Sequence, residues 1–313
     1  MLPSDGQLDL DDLKHYPHFD APIPLKKVRK LVKNEQRVIK NAFYPFIRYT
    51  KSYTPFNEKH APSSEKKERL IRYSARRDAY IYTHYRKKLS VHYENELSRL
   101  KISAAPVAYR KIPCQHNPEK GKCNIHFAKD VFNFIKEQEE CVVLAFDIEK
   151  FFPSLNHKYL KQVWSNLLGC KSLPSDHFNI YKSITNYSYI NINDLRNKYT
   201  GGFDEKKLSA LRRKGIKAFF ETPLDFRNFI KENDTKIYKN QPTKNKNTIS
   251  GIPQGLPIST VLANLYLLEF DKAVIEKTQN NSNNFYRRYS DDIIVVCSKT
   301  DFIEIRDFVV QKI

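Results

Sequence analysis

The chain has 313 residues, of which 40% are hydrophobic and 13% aromatic, enough to bury a sizeable core in one large or two smaller domains. Its 54 Lys and Arg against 35 Asp and Glu give a formal charge of +19, which argues against an enzyme of small neutral substrates and for a polyanionic partner. The start MLPSDGQLDLDD lacks the charged-then-apolar pattern of a signal, and the longest apolar run, CVVLAF at 141–146, is too short to cross a bilayer, so no membrane partner is expected.

In chain order, residues 1–23 carry acidic and proline-containing turn signals. The segment LKKVRKLVKNEQRVIK at 25–40 then spaces Leu25, Val28, Val32 and Ile39 among seven basic residues, which predicts one basic amphipathic helix. After the polar stretch KHAPSSEKKE, the run RLIRYSARRDAYIYTHYRKKLSVHYENELSRL opens like a strand and continues with helical spacing of its apolar residues. Residues 101–123 read as strands and loops. IHFAKDVFNFIKEQ predicts a helix with Ile125, Ala128, Phe132 and Ile135 on its apolar face.

CVVLAFDI has strand character. Pro153 is then expected to open a helix with Leu155, Tyr159, Leu160, Val163, Trp164, Leu167 and Leu168 as its stripe, and Gly169 to stop it. Residues 170–248 are rich in Lys and Asn, and LRRKGIK and TKIYKNQPTKNKN within them suit either phosphate contacts or mobile surface loops. GIPQGLPISTVLANLYLLEFDK sets two of the chain's eight glycines, Gly251 and Gly255, around Gln254 before a helix, where the backbone must turn or approach a ligand closely. FYRRYSDDIIVVC has the pattern of a β-hairpin with an Asp-Asp tip.

Five cysteines, an odd number, read as reduced thiols of a cytoplasmic protein. Four of the residues at 114–126, Cys114, His116, Cys123 and His126, could ligate zinc, but C-x-H followed by C-x-x-H matches no zinc module, and a polar loop before a helix is the expected reading. The carboxylates are more telling. Asp291 and Asp292 stand against Ile293-Ile294-Val295-Val296, and Asp147 closes the earlier strand-like run. Buried unpaired carboxylates cost several kcal/mol each, roughly, so three converging at strand ends call for a cation. Hard oxygens in an incomplete shell suit Mg²⁺, with substrate phosphates and water filling the remainder. Two such ions would activate a 3′-hydroxyl and stabilise leaving pyrophosphate.

FDIEKFFPSL, GIPQGLPIS and YSDD stand in the order of the three palm motifs of reverse transcriptases, and over roughly residues 70–313 the chain resembles that family. The resemblance implies an α+β fold, a right-hand polymerase palm of antiparallel sheet and packed helices with mostly helical fingers. It implies Asp147, Asp291 and Asp292 as catalytic carboxylates, Asp147 and Asp291 as direct metal ligands beside the Ile148 backbone carbonyl, and two Mg²⁺ ions for which Mn²⁺ can substitute. Supporting the hairpin is the alternative role of Asp292. Phe152 matches the aromatic that lies beneath the sugar and excludes a 2′-hydroxyl, although one of Phe151 and Phe152 is also expected in the core. Gln254 and Gly255 match the motif lining the nucleotide pocket. Arg110 and Lys111 are the favoured triphosphate contacts, with Arg72, Arg76 and Arg77 as further candidates.

The resemblance divides the chain into an N-terminal basic extension (1–50), a first fingers segment (51–140), a first palm segment (141–169), a fingers insertion (170–248) and a second palm segment (249–313). Only 21 residues follow Asp292. No thumb is therefore expected within this sequence, and a longer chain or a second protein would complete the enzyme. The AYRKIP segment and the long basic insertion look most like bacterial defence-associated reverse transcriptases. That similarity implies antiphage activity, dNTP substrates, an RNA template such as a noncoding RNA, and a DNA product. Template-independent or protein-primed synthesis by the same site, and a non-catalytic nucleic-acid-binding scaffold, are the alternatives.

Overall fold

The computed structural model describes residues 18–20, 22–54, 66–114, 117–196, 209–210, 213–214, 218–220, 222–232, 236–245, 248–279 and 284–313. In chain order the elements are α1 (Leu25–Val32), α2 (Glu35–Ile39), β1 (Phe46–Tyr53), β2 (Lys67–Tyr73), α3 (Arg76–Arg99), β3 (Pro113–Cys114), β4 (Asn117–Gly121), α4 (Asn124–Lys136), β5 (Val142–Asp147), α5 (Phe151–Ser154), α6 (His157–Leu167), α7 (Ser175–Thr185), β6 (Ser188–Asn191) and α8 (Ile192–Arg196). They continue with α9 (Pro223–Glu232), β7 (Tyr238–Lys239), β8 (Thr243–Asn245), β9 (Thr248–Ser250), α10 (Ser259–Tyr266), α11 (Leu268–Thr278), β10 (Phe285–Tyr289), β11 (Asp292–Cys297) and α12 (Phe302–Lys312). The fold is α+β, and the chain forms two compact units: Met1–Lys88 with Ser172–Ser259, and Leu89–Lys171 with Thr260–Ile313.

The first unit has more helix than strand and a four-stranded sheet in the order β2-β1-β6-β7. β1 and β2 pair antiparallel from Ile47↔Tyr73 to Tyr53↔Lys67, whereas β1 and β6 run parallel with Phe46 opposite Tyr189. Parallel neighbours require a long crossover, and this one leaves unit 1 and returns, which is why local patterning did not reveal it. Buried Ile47, Tyr73 and Ile190 of the sheet pack with Phe19, Phe219 and Phe226, and the rings of Phe19 and Phe226 stack at 4.0 Å. The expected single helix at 25–40 is two helices. Asn34 accepts a hydrogen bond from the Arg37 amide at 3.0 Å and caps a new start; Val28 and Val32 are buried as expected, but Leu25 is exposed and Val38 is buried where Ile39 was expected. The start of α3 is capped from far upstream, the Asp20 carboxylate accepting from the Arg76 and Arg77 amides at 2.9 and 2.8 Å.

The second unit has helices packed on an antiparallel sheet ordered β10-β11-β5. β11 lies in the middle, and Ile293, Val295, Val296 and Cys297 are buried, so this strand reads as a continuous apolar run rather than an alternating one. α4 forms as expected but presents the opposite face. Phe127 and Val131 are buried, with Phe134 4.9 Å from the ring of Phe285, whereas Ile125 and Phe132 are 73% and 64% exposed. Two apolar faces compete on this helix, and the aromatic contacts to β10 select one. Pro153 does not open the long helix. It sits inside the short α5, and Asn156 caps α6 by accepting from the Tyr159 amide at 3.0 Å. Gly169, at φ +66°, follows the end of α6 in the left-handed conformation.

Candidate active site

β5 ends and β11 begins at the same level of the three-stranded sheet, with Asp147 directly opposite Asp292. Asp291 occupies the turn before β11, and its carbonyl accepts from the Ile148 amide at 3.3 Å, tying the turn to the end of β5. Asp147 and Asp292 are exposed and Asp291 is half-buried, so the carboxylates sit where an apolar strand pair opens to solvent. Ser290 takes a left-handed φ of +64°, which lets the turn be tight, and its hydroxyl accepts from Tyr109 at 3.3 Å.

Behind this turn lies a support that sequence reading missed. Arg288 and Asp271 are fully buried and joined by two hydrogen bonds, Nε to Oδ1 at 2.7 Å and Nη2 to Oδ2 at 2.6 Å. Arg288 Nη1 donates to the Ser290 carbonyl at 2.9 Å, so the buried pair holds the backbone one residue before Asp291. Burial opposes the arginine's charge, but the Asp271 carboxylate outweighs it and keeps Arg288 charged beyond the ordinary range. The same carboxylate accepts from the Tyr286 hydroxyl at 2.6 Å. Residues 105–107 flank β10, the Arg288 amide donating to Ala105 and the Val107 amide to the Arg288 carbonyl, both at 2.9 Å. One signal was available in the sequence: an aspartate inside the apolar helix LLEFDKAVI invites a buried partner.

Phe151 and Phe152 are both buried on α5, their ring centroids 5.6 Å apart. Lys150, at φ +51°, turns the chain between β5 and this helix. In the first unit, the Gln254 carbonyl accepts from the Arg72 amide at 2.9 Å. Gly255 has φ +112°, and a Cβ there would lie 2.6 Å from the Arg72 carbonyl oxygen, so only glycine lets the loop approach β2 this closely.

The basic candidates divide. Arg110 is spent on structure: Nε and Nη2 grip the Glu94 carboxylate at 2.7 and 2.6 Å, and Nη1 donates to the carbonyls of Ser103 and Pro106, both at 2.6 Å. Lys111 is exposed. Arg77 donates to the Ala42 carbonyl at 2.6 Å, Arg76 is buried at the start of α3, and Arg72 belongs to the first unit's sheet.

The donors at the strand ends, carboxylates of Asp147, Asp291 and Asp292 and the Ile148 carbonyl, are the hard oxygens magnesium takes. Among the described residues no three His, Cys, Asp or Glu side chains close into a ready-made metal cage. Asp147, Asp291 and Asp292 do not form such a group. Nor does the thiol and imidazole cluster. His126 faces Cys123 with Nδ1 at 3.1 Å and Cys114 with Nε2 at 3.9 Å, so its two nitrogens serve different sulfurs and no single point is shared. His116 lies outside the described residues.

Residues 200–312, just over a third of the chain, match the family model described as "Reverse transcriptase (RNA-dependent DNA polymerase)". No curated protein matches. Among solved structures, apo telomerase from Candida tropicalis truncated from its C-terminal domain is similar over 91% of this chain, at 10% identity and a TM-score of 0.49. This chain spans about half of that one, 51% of its length. The region matched by the family model contains GIPQGLPIS and YSDD, whereas Asp147 and Phe152 lie outside it.

Proposed function

We propose that this protein is a reverse transcriptase-type DNA polymerase that adds dNTPs to a 3′-hydroxyl. The observation that carries the proposal is the register setting Asp147 opposite Asp292, with Asp291 in the adjoining turn. In this reading Asp147, Asp291, Asp292 and the Ile148 carbonyl hold Mg²⁺, or Mn²⁺ in its place. When bound, the two ions make the attacking hydroxyl a better nucleophile and neutralise charge on the pyrophosphate that leaves. The chain itself supplies orientation: Arg288 holds the turn bearing Asp291 through the Ser290 carbonyl, and the Ile148 amide holds Asp291's own carbonyl. Phe152 limits the sugar to deoxyribose, and Gln254 and Gly255 line the nucleotide pocket. Lys111 is the better triphosphate contact of the favoured pair, because Arg110 is occupied by Glu94.

The excess of basic residues favours a nucleic-acid partner, an RNA template in this reading, and the motif pattern favours a role in antiphage defence with a noncoding RNA or a second protein. The test is incorporation of labelled dNTPs and rNTPs with Mg²⁺ and supplied RNA, by the wild type and by the Asp291→Ala, Asp292→Ala double variant. Product from dNTPs that is absent in the variant supports the proposal, and its sequence separates templated from untemplated synthesis. A folded protein, assayed with its genomic neighbour, that binds RNA and makes no product would instead be a scaffold.

A further inference from the structure

The first unit has a cleft whose lining includes Arg72 but not Gln254, the residue whose carbonyl accepts from the Arg72 amide. Its cavity measures about 540 Å³, and its lining includes Arg48, Arg72, Lys236 and Lys239 together with Tyr189 and Tyr238. The second wall comes from the basic insertion, because β7 adds to β6 with Tyr189 opposite Tyr238 and Ser188 opposite Lys239. Among the described residues no acidic residue lines the cleft, and none of its four cations forms an ion pair. Such a cluster repels itself until a polyanion enters.

We propose that this cleft binds the backbone of a single-stranded nucleic acid, with bases stacking against its tyrosines. The aromatic floor is already ordered. Tyr189 and Tyr238 stack at 5.3 Å and 14°, and the Arg48 guanidinium lies 4.4 Å from the Tyr189 ring centre. Arg48 is held by donating from Nε to Asn191 at 2.7 Å and from Nη1 to the Tyr189 hydroxyl at 2.8 Å, which leaves Nη2 for a phosphate. Arg72 lies 5.8 Å from the same ring, and its buried Nε has no hydrogen-bond partner. Lys236 lies 5.3 Å from the ring centre of Tyr238.

Cations interleaved with stackable rings are the usual composition of sites that track a single strand. Among the described residues the lining has neither a glycine-rich loop nor a helix N-terminus of the kind that cradles a triphosphate. Arg48, Arg72 and Lys239 come from β1, β2 and β7, and Lys236 from the residues leading into β7, an arrangement suited to successive phosphodiesters. The inference rests on the polymerase reading only in taking the strand to be one that the enzyme handles.

The experiment is fluorescence anisotropy of 5′-labelled oligothymidylate and oligouridylate on the full chain across a salt series. The Lys236→Ala, Lys239→Ala double variant is expected to bind about tenfold more weakly. Its log–log salt slope should be shallower by about 1.4, since each single-strand phosphate contact contributes about 0.7. Lys236→Arg with Lys239→Arg should restore both, and Tyr238→Ala should weaken binding on the order of tenfold while Tyr238→Phe does not. Thermal melts exclude unfolding, and recovery in the arginine variant separates charge from packing. Unchanged affinity and slope in the alanine variant would overturn the proposal. So would full displacement of the oligonucleotide by dTTP alone, which would make the cleft a mononucleotide site. The Asp291→Ala variant reports separately: it should bind the strand as the wild type does, so a failed polymerase reading and a failed cleft give different results.

Discussion

Arg288 and Asp271 stand 17 residues apart in sequence and 2.6 Å apart in space, with neither side chain exposed. Removing one partner strands the other charge in the core. Arg288→Met or Asp271→Asn is therefore expected to lower unfolding free energy by about 3–5 kcal/mol, whereas Arg288→Met with Asp271→Leu should recover most of the loss. Urea titrations of the three variants check this. Nucleotide incorporation by the double variant should remain impaired even when it is stable, because the Ser290 carbonyl has lost its donor.

Phe152 offers a test of sugar selection. Phe152→Val opens space beneath the sugar and should reduce the preference for dNTP over rNTP by about 10- to 200-fold, the range expected for small steric differences in an apolar pocket. The ratio of kcat/KM for dTTP and UTP measures it. Since Phe152 is buried beside Phe151, the melting temperature must be read in parallel.

Gly255 and Gly169 separate crowding from backbone strain. Both have positive φ, +112° and +66°, but only at Gly255 would a Cβ meet backbone, at 2.6 Å, while nothing lies within 4 Å at Gly169. Gly169→Ala should cost about 1–2 kcal/mol, the usual left-handed penalty. Gly255→Ala should cost more and shift the Gln254 loop away from β2, visible as faster hydrogen exchange at the Arg72 amide.

Acid stability should carry the mark of His18. Burial lowers its pKa from 6.5 to about 3. Between those values the unfolded chain binds a proton that the folded one refuses, so stability is complete above pH 6.5 and falls as pH drops towards 3. Asp78 acts in the opposite sense. Burial raises its pKa from 3.8 to about 6, so stability is lost as pH rises through that window. His18→Asn is expected to flatten the acid limb of a urea-midpoint profile, and an unchanged limb would assign the effect elsewhere.

The hairpin, the strand ending in Asp147 and the helix after GIPQG were legible because each is a local pattern: a short apolar run, a turn, a glycine pair. The exposed face of α4 was misread because Ile125 and Phe132 fit helical spacing as well as Phe127 and Val131 do. The break at Lys33–Asn34 was missed because a cap can interrupt an amphipathic pattern without disturbing its period. Arg110 looked available because a sequence does not show that Glu94 stands 2.7 Å from its guanidinium.

Residue order by itself determined the composition of the chemistry: hard carboxylates next to β-forming runs, a glycine pair around Gln254, and a strong positive charge. These depend on covalent neighbours and side-chain type, which sequence carries in full. Only the tertiary structure decided that Asp147 faces Asp292, that Arg288 spends its charge on Asp271, and that Tyr238 meets Tyr189 to wall a basic cleft. Each is a long-range pairing set by strand register and packing, where a shift of one residue would turn every side chain to the other face.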